Sequence, residues 1–192
     1  GESFSPVLLV RPLAFVYFTA MSMAIVFVPL IMKNFYTPLP WLSENVAIAL
    51  PISAEMFMFG IANVMSGFLA GRLGGRRILY GGFIISAIGC LASALFTEMA
   101  GFVISRGICG IGGGMAYIGF RNLIGREPSR IIKDEGFSHF YAGVVAGVNV
   151  GAILGAAIAD RSGFMPVFQV AFVIVLIAMV FEWRIVGKAF VK

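Results

Sequence analysis

Two ionisable residues stand inside long apolar runs, where a charge needs a reason. Glu55 lies in Leu50-Pro51-Ile52-Ser53-Ala54-Glu55-Met56, and Arg106 in Val103-Ile104-Ser105-Arg106-Gly107. A charge held among apolar residues in lipid costs a few kcal/mol on insertion scales, so such residues face a partner or a water-filled cavity. Glu55 is the best candidate to carry a proton. As the partner of Arg106 it is instead one half of an ion pair, each charge offsetting the desolvation of the other. Arg106 has a second option: it lies about two turns from the start of its run, and its side chain can snorkel to the interface. Asn63, Asn149 and Tyr17 are the other polar groups placed to line a cavity; Thr19 and Ser22 are similar. Each can also simply bond a neighbouring helix, a contribution of about 1 kcal/mol or less. His139 sits near the start of its run, where a solvated or interfacial role is expected. No enzymatic constellation is present: there is one His, no strand-borne phosphate loop and no nucleophile elbow. Cys90 and Cys109 fall inside apolar runs and lack the ligand spacing of a zinc site or a disulfide framework. No cofactor or metal is expected.

The elements that position these groups follow from composition. With 60% hydrophobic residues, 12% charged residues and a mean hydropathy of +0.99, the chain cannot cover a water-facing surface. Six apolar runs, at about 12–32, 46–70, 78–97, 100–120, 137–159 and 164–183, are each long enough to cross a bilayer as a helix. None alternates with period two, which excludes membrane strands. Pro29 and Pro51 are expected as kinks near helix ends. The fold class is therefore an all-α membrane protein, a six-transmembrane-helix bundle occupying residues 1–192 as one domain.

Orientation comes from the basic residues. Arg11; Arg72, Arg76 and Arg77; Arg121, Arg126, Arg130 and Lys133; and Arg184, Lys188 and Lys192 fall on one side, eleven in all, against Lys33 and Arg161 on the other, with Arg106 as the fourteenth. Both ends are expected in the cytoplasm, and the protein in the bacterial inner (plasma) membrane with the lipid bilayer as its surroundings. The +5 net charge belongs to these membrane borders, so nucleic acid is not an expected partner. The segment 121–136 is expected as the longest cytoplasmic loop, broken near Pro128.

Three motifs carry the mechanism. The second run ends in Gly67-Phe68-Leu69-Ala70-Gly71-Arg72-Leu73-Gly74-Gly75-Arg76-Arg77. Its glycines permit a tight turn, and its arginines can engage helix ends or acidic partners. The fourth run carries Arg106-Gly107-Ile108-Cys109-Gly110-Ile111-Gly112-Gly113-Gly114. The fifth carries Gly143, Gly147, Gly151 and Gly155, four apart and so on one helix face, where another backbone can approach closely.

The first motif resembles the signature Gly-x-Leu-Ala-Asp-Arg-x-Gly-Arg-Arg of the major facilitator superfamily (MFS), with Gly67, Leu69, Ala70, Arg72, Gly74 and Arg76 in register. The second is similar to that family's Arg-x-x-x-Gly-x-Gly, and the third to its glycine-rich fifth or eleventh helix. The resemblance implies an MFS-type half, with Gly67, Arg72, Gly74, Arg76 and Arg77 acting as a gate latch. Gly71 replaces the family's acid and Gly75 its next basic residue, so the usual latch salt bridge is not expected. That erosion, with a first residue that is not Met, points towards a C-terminal half. The resemblance further implies a second six-helix half, in the same longer chain or as another copy, and a small-molecule substrate of unknown identity. The expected function is secondary active transport by alternating access, proton-coupled if Glu55 carries the proton. A non-transporting membrane anchor or sensor of the same fold is the alternative.

Overall fold

The computed structural model describes residues 6–186, and helices occupy nearly all of them. A 3-10 turn at Pro6–Leu9 leads into α1 (Val10–Ser22) and α2 (Val28–Phe35). There follow α3 (Glu44–Leu73), α4 (Gly75–Leu95), α5 (Met99–Gly125), α6 (Arg130–Ser162) and α7 (Phe164–Phe181), the last running into a π-helical turn at Glu182–Val186. Lys188 and Lys192, counted above among the basic-side residues, lie outside the described residues.

The first expected span is not one helix. The chain leaves α1 at Ser22 and starts a new helix at Val28. Pro29 has no N–H to offer the carbonyl of Ile25, and its ring crowds that carbonyl. The intervening backbone tightens to three-residue bonds, Ile25 N–H to Ser22 O at 3.4 Å and Phe27 N–H to Ala24 O at 2.9 Å. The hydroxyls of Thr19 and Ser22 donate back to Phe15 O and Phe18 O at 2.7 Å each, a contact that bends helices. At 13 residues, α1 rises only about 20 Å, short of a bilayer core of about 30 Å. Among the described residues, five helices are individually long and apolar enough to cross; α1 and α2 together occupy the first expected span. Pro51, in contrast, is buried inside α3, which continues past it.

A second correction concerns the expected loop at 121–136. Helix α5 persists to Gly125 and α6 begins at Arg130, so only residues 126–129 are non-helical. Ser129 caps α6, accepting from Ile132 N–H.

Glycine decides the packing. Helix α5 lies between α3 and α4, α1 lies along α6, and α7 spans from α4 to α1. A Cβ on Gly114 would meet Phe59 O of α3 at 2.5 Å, and one on Gly110 would strike Glu55 O. On another face of α5, a Cβ on Gly119 would meet the Leu79 backbone of α4 at 2.6 Å. The α6 seam is more regular: Gly143, Gly147, Gly151 and Gly155 face the carbonyls of Arg11, Phe15, Thr19 and Met23 in turn. Both series advance by four, so the two helices run parallel and in register. Dispersion between closely approached backbones supplies the association that the hydrophobic effect cannot supply in lipid. Tyr17, Phe83, Phe120 and Phe140 fill the centre, with ring centroids 4.7 Å apart for the first two and 5.3 Å for the last two.

The outer surface is apolar. Phe68 is 77% exposed and Ile153 69%, an arrangement stable against hydrocarbon and not against water.

Candidate functional site

Arg106 and Glu55 meet inside the bundle. Nη2 of Arg106 donates to both carboxylate oxygens of Glu55 at 2.6 Å, and Nε donates to Oε2 at 3.1 Å. Both side chains are almost wholly buried. Nη1 reaches Cys109 Sγ at 3.7 Å, and the guanidinium lies 5.8 Å from the centroid of the Phe168 ring of α7. Arg106 therefore neither snorkels to the interface nor lines an open cavity; it ties α5 to α3. The glycines explain how. Gly110, one turn along α5, lets α3 approach until Glu55 lies beside the guanidinium.

The other polar candidates are dispersed. Tyr17 OH shares a 2.7 Å hydrogen bond with Ser86 Oγ, a buried link between α1 and α4. About two turns further along α4, Ser93 and Ser105 join it to α5 at 2.9 Å. Asn63 is half-buried on α3, and its Oδ1 is buried without a partner among the described residues. Asn149 is exposed on α6, its amide donating to Val145 O of its own helix at 2.7 Å. Glu55 and Arg106 are thus brought together, whereas Asn149 and Tyr17 bond elsewhere and Asn63 stands apart from the pair. His139 sits 3.5 Å from Glu135, one turn earlier on α6.

The basic end of the bundle holds a second ion pair. Helix α3 ends at Leu73 and α4 starts at Gly75, with Gly74 alone between them at φ 87°. That left-handed conformation is open to glycine at little cost. The turn places Arg76 where its Nε donates to Glu182 Oε1 at 2.8 Å. Glu182 opens the π-helical turn after α7 and is buried, with Oε2 unpartnered among the described residues, while the Arg76 side chain is 38% exposed. Arg76 thus has an acidic partner, on a different helix from the position that Gly71 occupies. Glu182 was not foreseen. Its signal was present in the sequence, as the one carboxyl at the end of the last apolar run. Gly67 and Gly71 have open space around them, and Arg72 and Arg77 are exposed.

A family model described as the Major Facilitator Superfamily matches residues 12–189. The chain belongs to that superfamily. No curated protein sequence matches it. Among solved structures, the POT family transporter PepTSo superposes with a TM-score of 0.73 at 19% identity, covering 93% of this chain and 36% of that one. A peptide transporter POT, solved in complexes with sulfate and with alafosfalin, also gives 0.73 at 20% identity, covering 97% of this chain and 39% of its own. The chain thus spans little more than a third of the length of these transporters. At such identity the likeness establishes the MFS fold, and the superfamily makes the protein an integral, multi-pass membrane protein. The same fold explains why the glycine seams and the tight α3–α4 turn occur together: each lets helices of a compact membrane bundle close on one another.

Proposed function

We propose that this bundle is one half of a secondary active transporter that moves a small solute by alternating access. The observation that carries the reading is the superfamily match over 12–189, within a bundle whose outer faces are apolar. Six crossings supply one wall of a central site. The second wall comes from another six-helix half, in the same longer chain or from another copy, and rocking of the two halves alternates access. Eleven basic residues on one side against two on the other support cytoplasmic ends, in a plasma membrane of bacterial type. Solute counterflow into proteoliposomes tests the reading. Trapped unlabelled solute should accelerate entry of its labelled form. Its absence from a folded protein that co-purifies with a fixed partner would leave the anchor reading in its place.

Within this function, Glu55 serves as a strut and not as a proton carrier. A proton on Glu55 would occupy an oxygen that now accepts from Arg106 and leave a buried guanidinium without a counter-charge. The Glu55→Gln protein, if folded, should keep the proton dependence of uptake at reduced stability. Loss of proton-driven uptake with counterflow intact would reverse the assignment.

A further inference from the structure

Beside the Arg76–Glu182 pair lies an open groove of about 880 Å³, walled by the α3–α4 turn, the first turns of α4 and the end of α7. Arg72, Arg76, Arg77 and Arg126 line it, together with Tyr80 and Trp183. Arg126 reaches over the turn: a Cβ on Gly74 would sit 3.3 Å from its Nη2. Among the described residues, Arg72, Arg77 and Arg126 pair with no carboxylate, and the single acid of the groove, Glu182, already holds Arg76. Arg76 and Arg77 also occupy the first turn of α4, which carries no acidic residue and no side-chain cap. There the helix dipole adds to their positive charge. Such an excess at one spot calls for an anion.

What lies below the groove selects the kind of anion. Ile84, part of its wall, begins an exposed apolar row down α4 that continues through Ile88, Leu91 and Leu95. Ile177 and Val180 of α7 are exposed as well. Trp183, 55% exposed at the rim, is the type of residue that settles at headgroup level. A free phosphate would use the arginines alone; a phospholipid would use both surfaces, its phosphate in the guanidinium fork and its acyl chains along α4.

We propose that this groove binds the headgroup phosphate of an anionic phospholipid, which supplies the negative charge that Gly71 withholds from the turn. The site depends on the membrane setting and not on transport, so it stands or falls separately from the function proposed above.

The experiment measures thermal unfolding of the detergent-purified protein, and the lipid retained in native mass spectra, with phosphatidylglycerol, phosphatidylcholine or inorganic phosphate added. Phosphatidylglycerol should raise Tm and stay bound, while phosphatidylcholine and inorganic phosphate do neither. Arg77→Gln and Arg126→Gln should each weaken retention about fivefold, from the attraction of a single basic residue to anionic lipid. Arg161→Gln, at the opposite end, should change nothing. Equal shifts from phosphatidylcholine would overturn the proposal, as would unchanged phosphatidylglycerol retention in both groove variants. An equal shift from inorganic phosphate would overturn the lipid as the source. The comparison of lipids on the unsubstituted protein needs no variant to fold.

Discussion

Two arginine–glutamate pairs hold this bundle, and they differ in what surrounds them. Arg106–Glu55 joins α5 to α3 with both partners enclosed, through three N–H···O bonds. Arg76–Glu182 joins the start of α4 to the end of α7 through a single bond, with the arginine 38% exposed. Without water, the interior pair must compensate itself completely, and removing either partner strands the other. At the border, water and salt reach Arg76 but not the buried carboxylate of Glu182, so only the arginine can be compensated by solvent. A fully enclosed strut and a half-solvated contact are thus made from the same two residue types. The exposure of the arginine separates them.

Breaking the interior pair on one side should have the largest effect. Arg106→Met leaves a buried carboxylate and should lower stability by about 3–5 kcal/mol, whereas Glu55→Leu combined with Arg106→Met should recover most of it. Denaturant titration of the purified protein measures both. Equal losses in the single and double variants would mean that packing, not charge, distinguishes the site.

Next comes the glycine that lets the interior pair form. Gly110→Ala drives a methyl group onto Glu55 O, and overpacking of this kind costs about 1–3 kcal/mol. Gly60→Ala, on the open face of α3, should change stability by no more than about 0.5 kcal/mol.

The border pair should respond more weakly. Glu182→Gln should cost about 1 kcal/mol or less, given the exposure of Arg76. Raising salt from 0.1 M to about 1 M should shrink that difference, because the Debye length falls from about 10 Å to 3 Å. The destabilisation caused by Arg106→Met should not move with salt. A salt-insensitive Glu182→Gln effect would remove the distinction between the two sites.

Smallest is the effect of restoring an acid to the turn. Gly71 has open space around it, so Gly71→Asp should change stability by less than about 1 kcal/mol and make the turn more sensitive to salt. A larger loss would mean that the turn is packed more tightly than its surroundings indicate.

What was legible in the sequence follows from where the governing physics lies. Crossings show as runs of hydropathy, because lipid acts on every residue of a span alike. Spacing alone put the four glycines of α6 on one face, and the rarity of intramembrane charge marked Glu55 and Arg106 as residues needing a partner. Pro29 marked a kink, but hydropathy does not register its missing N–H, so the full break over 23–27 did not show. The short 126–129 connection was hidden because polar residues such as Arg121 and Asn122 belong to a helix that outlasts the apolar core. Tyr17–Ser86 and Arg76–Glu182 pair residues 69 and 106 positions apart, and no local pattern joins them.

Composition, run length and the sidedness of arginine therefore determined, without any coordinates, that this is a helical membrane bundle with one basic end. Those properties are sums over many residues, and no single packing contact alters them. Which carboxylate each arginine meets was decided only by the tertiary structure. An ion pair depends on a separation of about 3 Å, and here glycines set that separation by governing how closely one helix axis approaches another.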